Sequence, residues 1–248
     1  MSPKNILITG CNRGIGLEFV KQYLTGANPP THLFATCRNP DKAPELVELS
    51  KAHSNLHVLT LDVTNHASFP ELVHSISQVV DQEGLNLVLN NAGLLPSEKE
   101  GGVTPEKMRE AFEVNTIAPL FLSKALLPLV KIAAQKDASA PMGIEKGAIV
   151  LMSTAVASIS ENSGGGNTAY RASKTALNQV MKNLSIELKS DGILVMALHP
   201  GWVMTDMGGP NALINTETSV GGMIKTLSAL TDKDHASFLR YDGTGIGW

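Results

Sequence analysis

Short, nearly continuous apolar runs alternate along the chain with longer stretches in which apolar residues recur every three or four positions. The runs are Asn5–Thr9, His32–Cys37, Leu56–Asp62, Leu85–Asn90, Gly147–Ser153, Ile193–His199 and Ser237–Tyr241. Each has strand length, and most read as parallel strands covered on both faces. Ile15–Leu24 and Ala67–Gln82 carry helical spacing; in the second, Leu72, Val73, Ile76, Val79 and Val80 share one face. Strand and helix alternate about six times, which predicts an α/β fold with a doubly wound, mostly parallel sheet of about seven strands. Right-handed crossovers then put helices on both faces. Ala133–Gly147, Ser160–Asn167 and Thr205–Thr218 show neither period and read as loops, of the kind that gather at strand ends where ligands bind. No internal repeat or interdomain linker stands out, so residues 1–248 read as a single domain.

Composition narrows the classes. The chain has 248 residues, which suits one large α/β domain. Its net charge is −3, which calls for neither nucleic acid nor an anionic membrane as partner. The first residues, MSPKNILITG, run straight into a strand pattern with no apolar segment of signal-peptide length. There is no uninterrupted run of 18 apolar residues that would span a membrane. Two cysteines, Cys11 and Cys37, cannot build a disulfide framework, so a reduced, cytoplasmic setting is expected. Neither HExxH nor a Cys/His cluster occurs, and no metal site is expected.

Behind the first strand stands TGCNRGIG, with glycines at Gly10, Gly14 and Gly16. In a strand-to-helix turn the first amides of the helix point at whatever lies above the strand, and a phosphate there gains from those donors and from the helix dipole. Gly10 suits the tight turn, Gly14 a close approach to a ligand, and Gly16 the packing of helix on strand. A tight turn with no ligand is the plainer alternative.

Four stretches occur in order: TGxxxGIG, NNAG at Asn90–Gly93, YRASK at Tyr170–Lys174 and PGWVMT at Pro200–Thr205. Together they resemble the short-chain dehydrogenase/reductase family, over nearly the whole chain. TGCNRGIG, TCRN, the PMG loop and HPGWVMTDMGG further resemble the carbonyl reductases of the sniffer type. The resemblance implies a single Rossmann-type domain. Its cofactor half covers about residues 1–150, and its catalytic and substrate half about 151–248. It also implies cofactor contacts at Gly10, Asn12, Arg13, Gly14, Ile15 and Gly16 in the first loop.

In a NAD-binding unit an acidic residue at the end of strand two grips the ribose 2′-hydroxyl. Here that position falls on or beside Cys37, no carboxylate stands there, and Arg38 follows. Arg13 lies inside the glycine loop. A 2′-phosphate suits guanidinium groups and would be repelled by a carboxylate, so NADP(H), clamped by Arg13 and Arg38, is expected. The alternative for Arg38 is a solvated loop residue. Asp62 resembles the family aspartate at the adenine edge, with Val63 beside it; otherwise it is a turn carboxylate. Asn90, Ala92 and Gly93 are expected at the cofactor ribose, with Asn90 favoured over Asn91.

Tyr170 and Lys174 lie four apart, on one face of a helix. The resemblance makes Tyr170 a general acid and Lys174 the ammonium that lowers its pKa and binds the nicotinamide ribose. Strand five is followed by two hydroxyl residues, Ser153 and Thr154, where the family commonly has two serines, the second catalytic. That register selects Thr154; a slip by one selects Ser153, on the opposite face. Asn115 resembles the family asparagine that interrupts a helix and holds a water beside the lysine. Alternatively it is only a cap or kink, and Pro119 agrees with a disturbed helix. Pro200 and Gly201 turn the chain at the nicotinamide. Val203 and Thr205 resemble the residues that bond the carboxamide, with pro-S hydride transfer as the family outcome. His199 reads as structural. Cys11 and Cys37 are expected near the adenosine phosphates, either as small buried residues or with arginine-lowered thiol pKa values.

The leading expectation is an NADPH-dependent reductase of aldehyde, ketone or quinone carbonyls. Ile159, Trp202, Met207 and Leu213 offer the substrate an apolar pocket. Reduction as the working direction follows from reduced NADP pools in cells. Two alternatives stand: an NADP(H)-binding sensor or scaffold with little catalysis, and an NAD-linked alcohol or steroid dehydrogenase. The short insert between Thr154 and Tyr170 leaves a homodimer open.

Overall fold

The computed structural model describes residues 2–98 and 101–248. Seven strands form one sheet: β1 (Asn5–Ile8), β2 (His32–Cys37), β3 (Leu56–Thr60), β4 (Leu87–Asn90), β5 (Ala148–Met152), β6 (Leu194–His199) and β7 (Phe238–Arg240). The order is β3-β2-β1-β4-β5-β6-β7. All six pairings are parallel. The order reverses between β1 and β4, and such a switch point opens a crevice beyond the strand ends.

Alternate residues of each strand feed two separate cores. Ile6 and Ile8 of β1 meet α1 (Gly14–Thr25), α2 (Pro44–Ala52) and α7 (Thr216–Ser228) through Phe19, Val20, Leu46 and Met223. Leu7 points the other way. There α3 (Phe69–Val80), α5 (Ala118–Lys136) and α6 (Thr168–Leu188) contribute Ile76, Leu126 and Leu177. The continuous apolar strands thus reflect burial on both faces.

Two predicted loops are shorter than expected. α5 continues to Lys136, because Val130, Ala133 and Ala134 carry its buried stripe into the segment read as Ala133–Gly147. α7 begins at Thr216, inside Thr205–Thr218, where Asn215 caps it by accepting from Thr218 N at 2.8 Å. That Asn-before-helix signal was present in the sequence. The helical run Pro105–Lys136 is long and apolar enough, by length and composition, to cross a membrane, yet half of its apolar window is buried in the protein. A π-helical turn at Glu113–Ile117 joins α4 (Pro105–Phe112) to α5.

Candidate active site

A cavity of about 810 Å³ opens beyond the carboxyl ends of the strands. Its floor is the glycine loop: Gly10, Asn12, Arg13, Gly14, Ile15 and Gly16 all line it. Gly10 has φ +72°, which a glycine adopts without strain. At Gly16 a Cβ would run into the Gly10 carbonyl and the Asn91 amide, so glycine is required there by closeness. Arg13 occupies the cap position of α1 without a side-chain cap bond, and the first turn carries no acidic residue. The helix start therefore faces the cavity with its own amides, a cradle that fits a pyrophosphate.

Arg13 and Arg38 both line the cavity. Arg13 Nη1 pairs with Asp206 Oδ2 at 2.8 Å, both side chains mostly exposed. Asp206 itself lines the cavity and is a site residue the sequence reading missed. Asp62 accepts from Thr64 N at 3.0 Å and from its hydroxyl at 2.8 Å. These bonds, with the charge of Arg38, hold its carboxyl below the usual range. Asp62 is thus a turn carboxylate that also lines the cavity, with Val63 beside it.

The two asparagines of NNAG exchange roles. Asn90 is buried and donates to Ser123 Oγ at 3.0 Å, away from the cavity wall. Asn91 lines the cavity, its amide donating to Thr9 O at 2.9 Å, and Ala92 and Gly93 line it too. The strand alternation explains the reversal, since successive side chains point to opposite faces. Cys37 also lines the cavity, and Cys11 is fully buried, with its thiol donating to Ile8 O at 3.2 Å. Burial raises both thiol pKa values, so the arginine-lowered alternative does not hold.

Tyr170 and Lys174 reach the cavity from α6. Thr154 is buried near Tyr170, where its hydroxyl favours the phenolate, but it is not one of the residues that line the cavity. Of the two hydroxyl residues it is Ser153 that lines the cavity, but its hydroxyl donates to Asn178 Oδ1 at 2.7 Å. Asn178 lies one turn beyond Lys174, and that spacing was its only sequence signal. Lys174 Nζ donates to Met152 O at 2.7 Å. Burial brings the Lys174 amine down to about 7. It pushes the Tyr170 phenol up to about 12, against the small lowering effect of the Thr154 hydroxyl. The expected lowering by Lys174 is not seen: burial outweighs any lowering, and Lys174 is not among the groups that shift the Tyr170 phenol here.

Asn115 sits in the π turn, fully buried. Its amide accepts from Leu94 N at 2.8 Å and donates to Leu94 O at 2.8 Å and Ser173 Oγ at 3.0 Å. Pro119, four residues on, has no N–H to return to the Asn115 carbonyl. Gly93 fills the space between, where a Cβ would lie 3.4 Å from Asn115 Oδ1 and 3.5 Å from Lys174 Nζ.

After β6, Pro200, Met204, Thr205 and Met207 line the cavity. Gly201 and Val203 stand behind its wall. Gly201 packs against Ile214 and Tyr241, and Val203 is buried and bridged to Ile214. Trp202, Ile159 and Leu213 are exposed. His199 lies outside the wall and is brought down to about 4 by burial, with Arg240 adding to the effect. Among the described residues no cluster of three His, Cys, Asp or Glu groups could hold a metal.

Comparisons with known proteins agree with this geometry. The chain superposes on the carbonyl reductase Sniffer of D. melanogaster with a TM-score of 0.97 and 45% identity, covering 99% of this chain and 100% of that one. An NADPH-bound carbonyl reductase from chicken fatty liver matches with a TM-score of 0.94 and 41% identity, over 100% of both chains. An uncharacterized oxidoreductase of Schizosaccharomyces pombe is 32% identical, over 98% of this chain and 97% of the relative. The short chain dehydrogenase family model matches residues 4–213, and the chain belongs to that family.

Proposed function

We propose that the chain is an NADPH-dependent carbonyl reductase, acting on an aldehyde, ketone or quinone with Tyr170 as general acid. The observation that carries this reading is one cavity that holds both a catalytic set and an arginine pair. Tyr170 and Lys174 line it beside the end of β5, with Thr154 buried next to Tyr170, and Arg13 and Arg38 line it beside β1 and β2, where β2 supplies no carboxylate. The cofactor supplies hydride when bound.

The chain's own residues do the rest. The Tyr170 phenol is fully protonated at neutral pH, ready to give its proton to a carbonyl oxygen that gains charge. The Thr154 hydroxyl, close to Tyr170, polarises the same oxygen. Lys174 binds the ribose hydroxyls and, near half protonation, can take up and release a proton at neutral pH. Asn115 holds the wall beside it and leads the relay toward solvent. Arg13 and Arg38 take the 2′-phosphate, and Asp62 and Val63 the adenine. The hydroxyl of Thr205, at the cavity, holds the carboxamide, and the buried Val203 backs it, its carbonyl accepting from that hydroxyl at 3.4 Å. Met204 and Met207 border the substrate side, and an apolar or aromatic carbonyl fits them.

The test is a panel of aldehydes, ketones and quinones assayed with NADPH and with NADH, on wild type and Arg38→Ala. Wild type is expected to prefer NADPH by at least tenfold in kcat/KM, and Arg38→Ala to lose most of that preference through KM. An unchanged NADPH/NADH ratio in the variant would contradict the arginine assignment. No turnover with any carbonyl, despite NADPH binding, would favour a sensor.

A further inference from the structure

The helix that carries Tyr170 and Lys174 begins without a cap of its own. Asn167 precedes it in the left-handed conformation, φ 46°, and its side chain accepts nothing from the first turn. The amides of that turn are met from far away in the chain. Glu98, in the segment after β4, accepts from Thr168 N at 3.0 Å through Oε2 and from Ala169 N at 2.9 Å through Oε1. Bonds from helix-start amides to a carboxylate are charge-assisted, and the helix dipole favours the same placement.

The other end of the segment 94–98 is also pinned. Leu94 gives its N–H to Asn115 Oδ1 and accepts from Asn115 Nδ2. The segment therefore runs from the π turn to the first turn of α6, and Leu94 forms part of the cavity wall. From the β5 side, Arg171 ties the same helix start to Gly166 O at 2.9 Å and to Val156 O at 3.2 Å. The residue that follows Ala169 is Tyr170.

We propose that Glu98 is a positioning residue for the reaction: by capping α6 from the β4 side it fixes where the Tyr170 phenol enters the cavity. This rests on the reading of Tyr170 as proton donor. A cap from the helix's own flank would stabilise the helix equally well. A cap from the β4 segment adds that the cavity wall and the catalytic helix keep one relative position. A displacement of about 1 Å at a reacting group can cost on the order of 100-fold in rate.

The experiment compares wild type, Glu98→Ala, Glu98→Gln and Tyr170→Phe as full-length proteins, using a quinone or aromatic aldehyde at saturating NADPH. It reads kcat, carbonyl KM, the NADPH Kd by fluorescence, and Tm. Glu98→Ala is expected to lose roughly tenfold in kcat, the scale of one lost cap, with the NADPH Kd within about twofold of wild type. Glu98→Gln keeps an oxygen that accepts one of the two bonds, so its kcat should fall between the two. A lower Tm with wild-type kcat would leave Glu98 as a helix cap alone and overturn the proposal. A loss that appears in the NADPH Kd rather than in kcat would overturn it as well. If the Ala variant fails to fold, Gln against wild type decides: a lower kcat at unchanged Kd supports the proposal, and equal kcat refutes it. Wild-type kcat in Tyr170→Phe would defeat the Tyr170 reading itself. An inactive Tyr170→Phe beside an unslowed Glu98→Ala would defeat the Glu98 proposal alone.

Discussion

Ser153 and Thr154 are neighbours with similar chemistry, yet they have different partners. The Ser153 hydroxyl is spent on Asn178 inside the protein, whereas the Thr154 hydroxyl lies near Tyr170. Thr154→Ala is therefore expected to cut kcat by about 100-fold with little loss of stability, in line with the removal of a donor to developing charge. Ser153→Ala should instead cost about 1–3 kcal/mol by leaving the buried Asn178 carbonyl without its donor, at nearly unchanged kcat. Steady-state kinetics and urea midpoints on the two variants separate them, and the reverse pattern would put the catalytic hydroxyl one residue earlier. Sequence spacing reached Thr154 through register alone. It misplaced Asn90 because a dipeptide of identical residues carries no sign of which faces inward. It missed Glu98 and Asp206 because their partners lie 70 or more residues away in the chain.

At the level of elements, most of the architecture was legible before any coordinates. The apolar runs locate all seven strands to within about two residues at either end. Strand identity follows from burial on both faces, which the runs record directly. Helix ends were less legible where tertiary contacts override local signals, as at the far end of α5. The steric need for glycine at Gly16 was legible because its constraint is local: Gly16 sits against the backbone of its own turn. Gly16→Ala is expected to push α1 away from β1, at a cost of about 1–3 kcal/mol for overpacking. It should weaken NADPH binding at least tenfold, because the same displacement moves the amides that face the cavity. Thermal melts and NADPH titration check both effects, and a variant with wild-type Tm and Kd would mean that the turn yields easily.

For the whole molecule, the site imposes a cost in stability that depends on pH. The Lys174 amine is brought from 10.5 down to about 7 by burial. Between those values the unfolded chain binds more protons than the folded one, so stability rises with pH across that window. Below about 7 the amine is protonated in both states and the burial penalty is fully present. Tyr170 acts in the opposite sense at higher pH: raised from 10 to about 12, its contribution is complete below 10 and is lost above it. Wild type should therefore gain about 2 kcal/mol between pH 7 and 9 relative to Lys174→Met, which has no amine to titrate. Urea midpoints of the two proteins at each pH measure the difference. Parallel profiles would place the titration elsewhere. Because Lys174 lines the cavity, this stability profile reports on the site.

The central claim is that Tyr170 donates the proton to a carbonyl oxygen at this site. It is tested most directly by the turnover of Tyr170→Phe at saturating NADPH, with cofactor occupancy confirmed by fluorescence. The hydroxyl alone is removed, and the ring keeps its place in the wall. The variant is expected to keep an NADPH Kd close to wild type and to lose kcat on the order of 10²- to 10⁴-fold, the range for loss of a general acid. Turnover within a factor of about three of wild type, at equal occupancy, would contradict it.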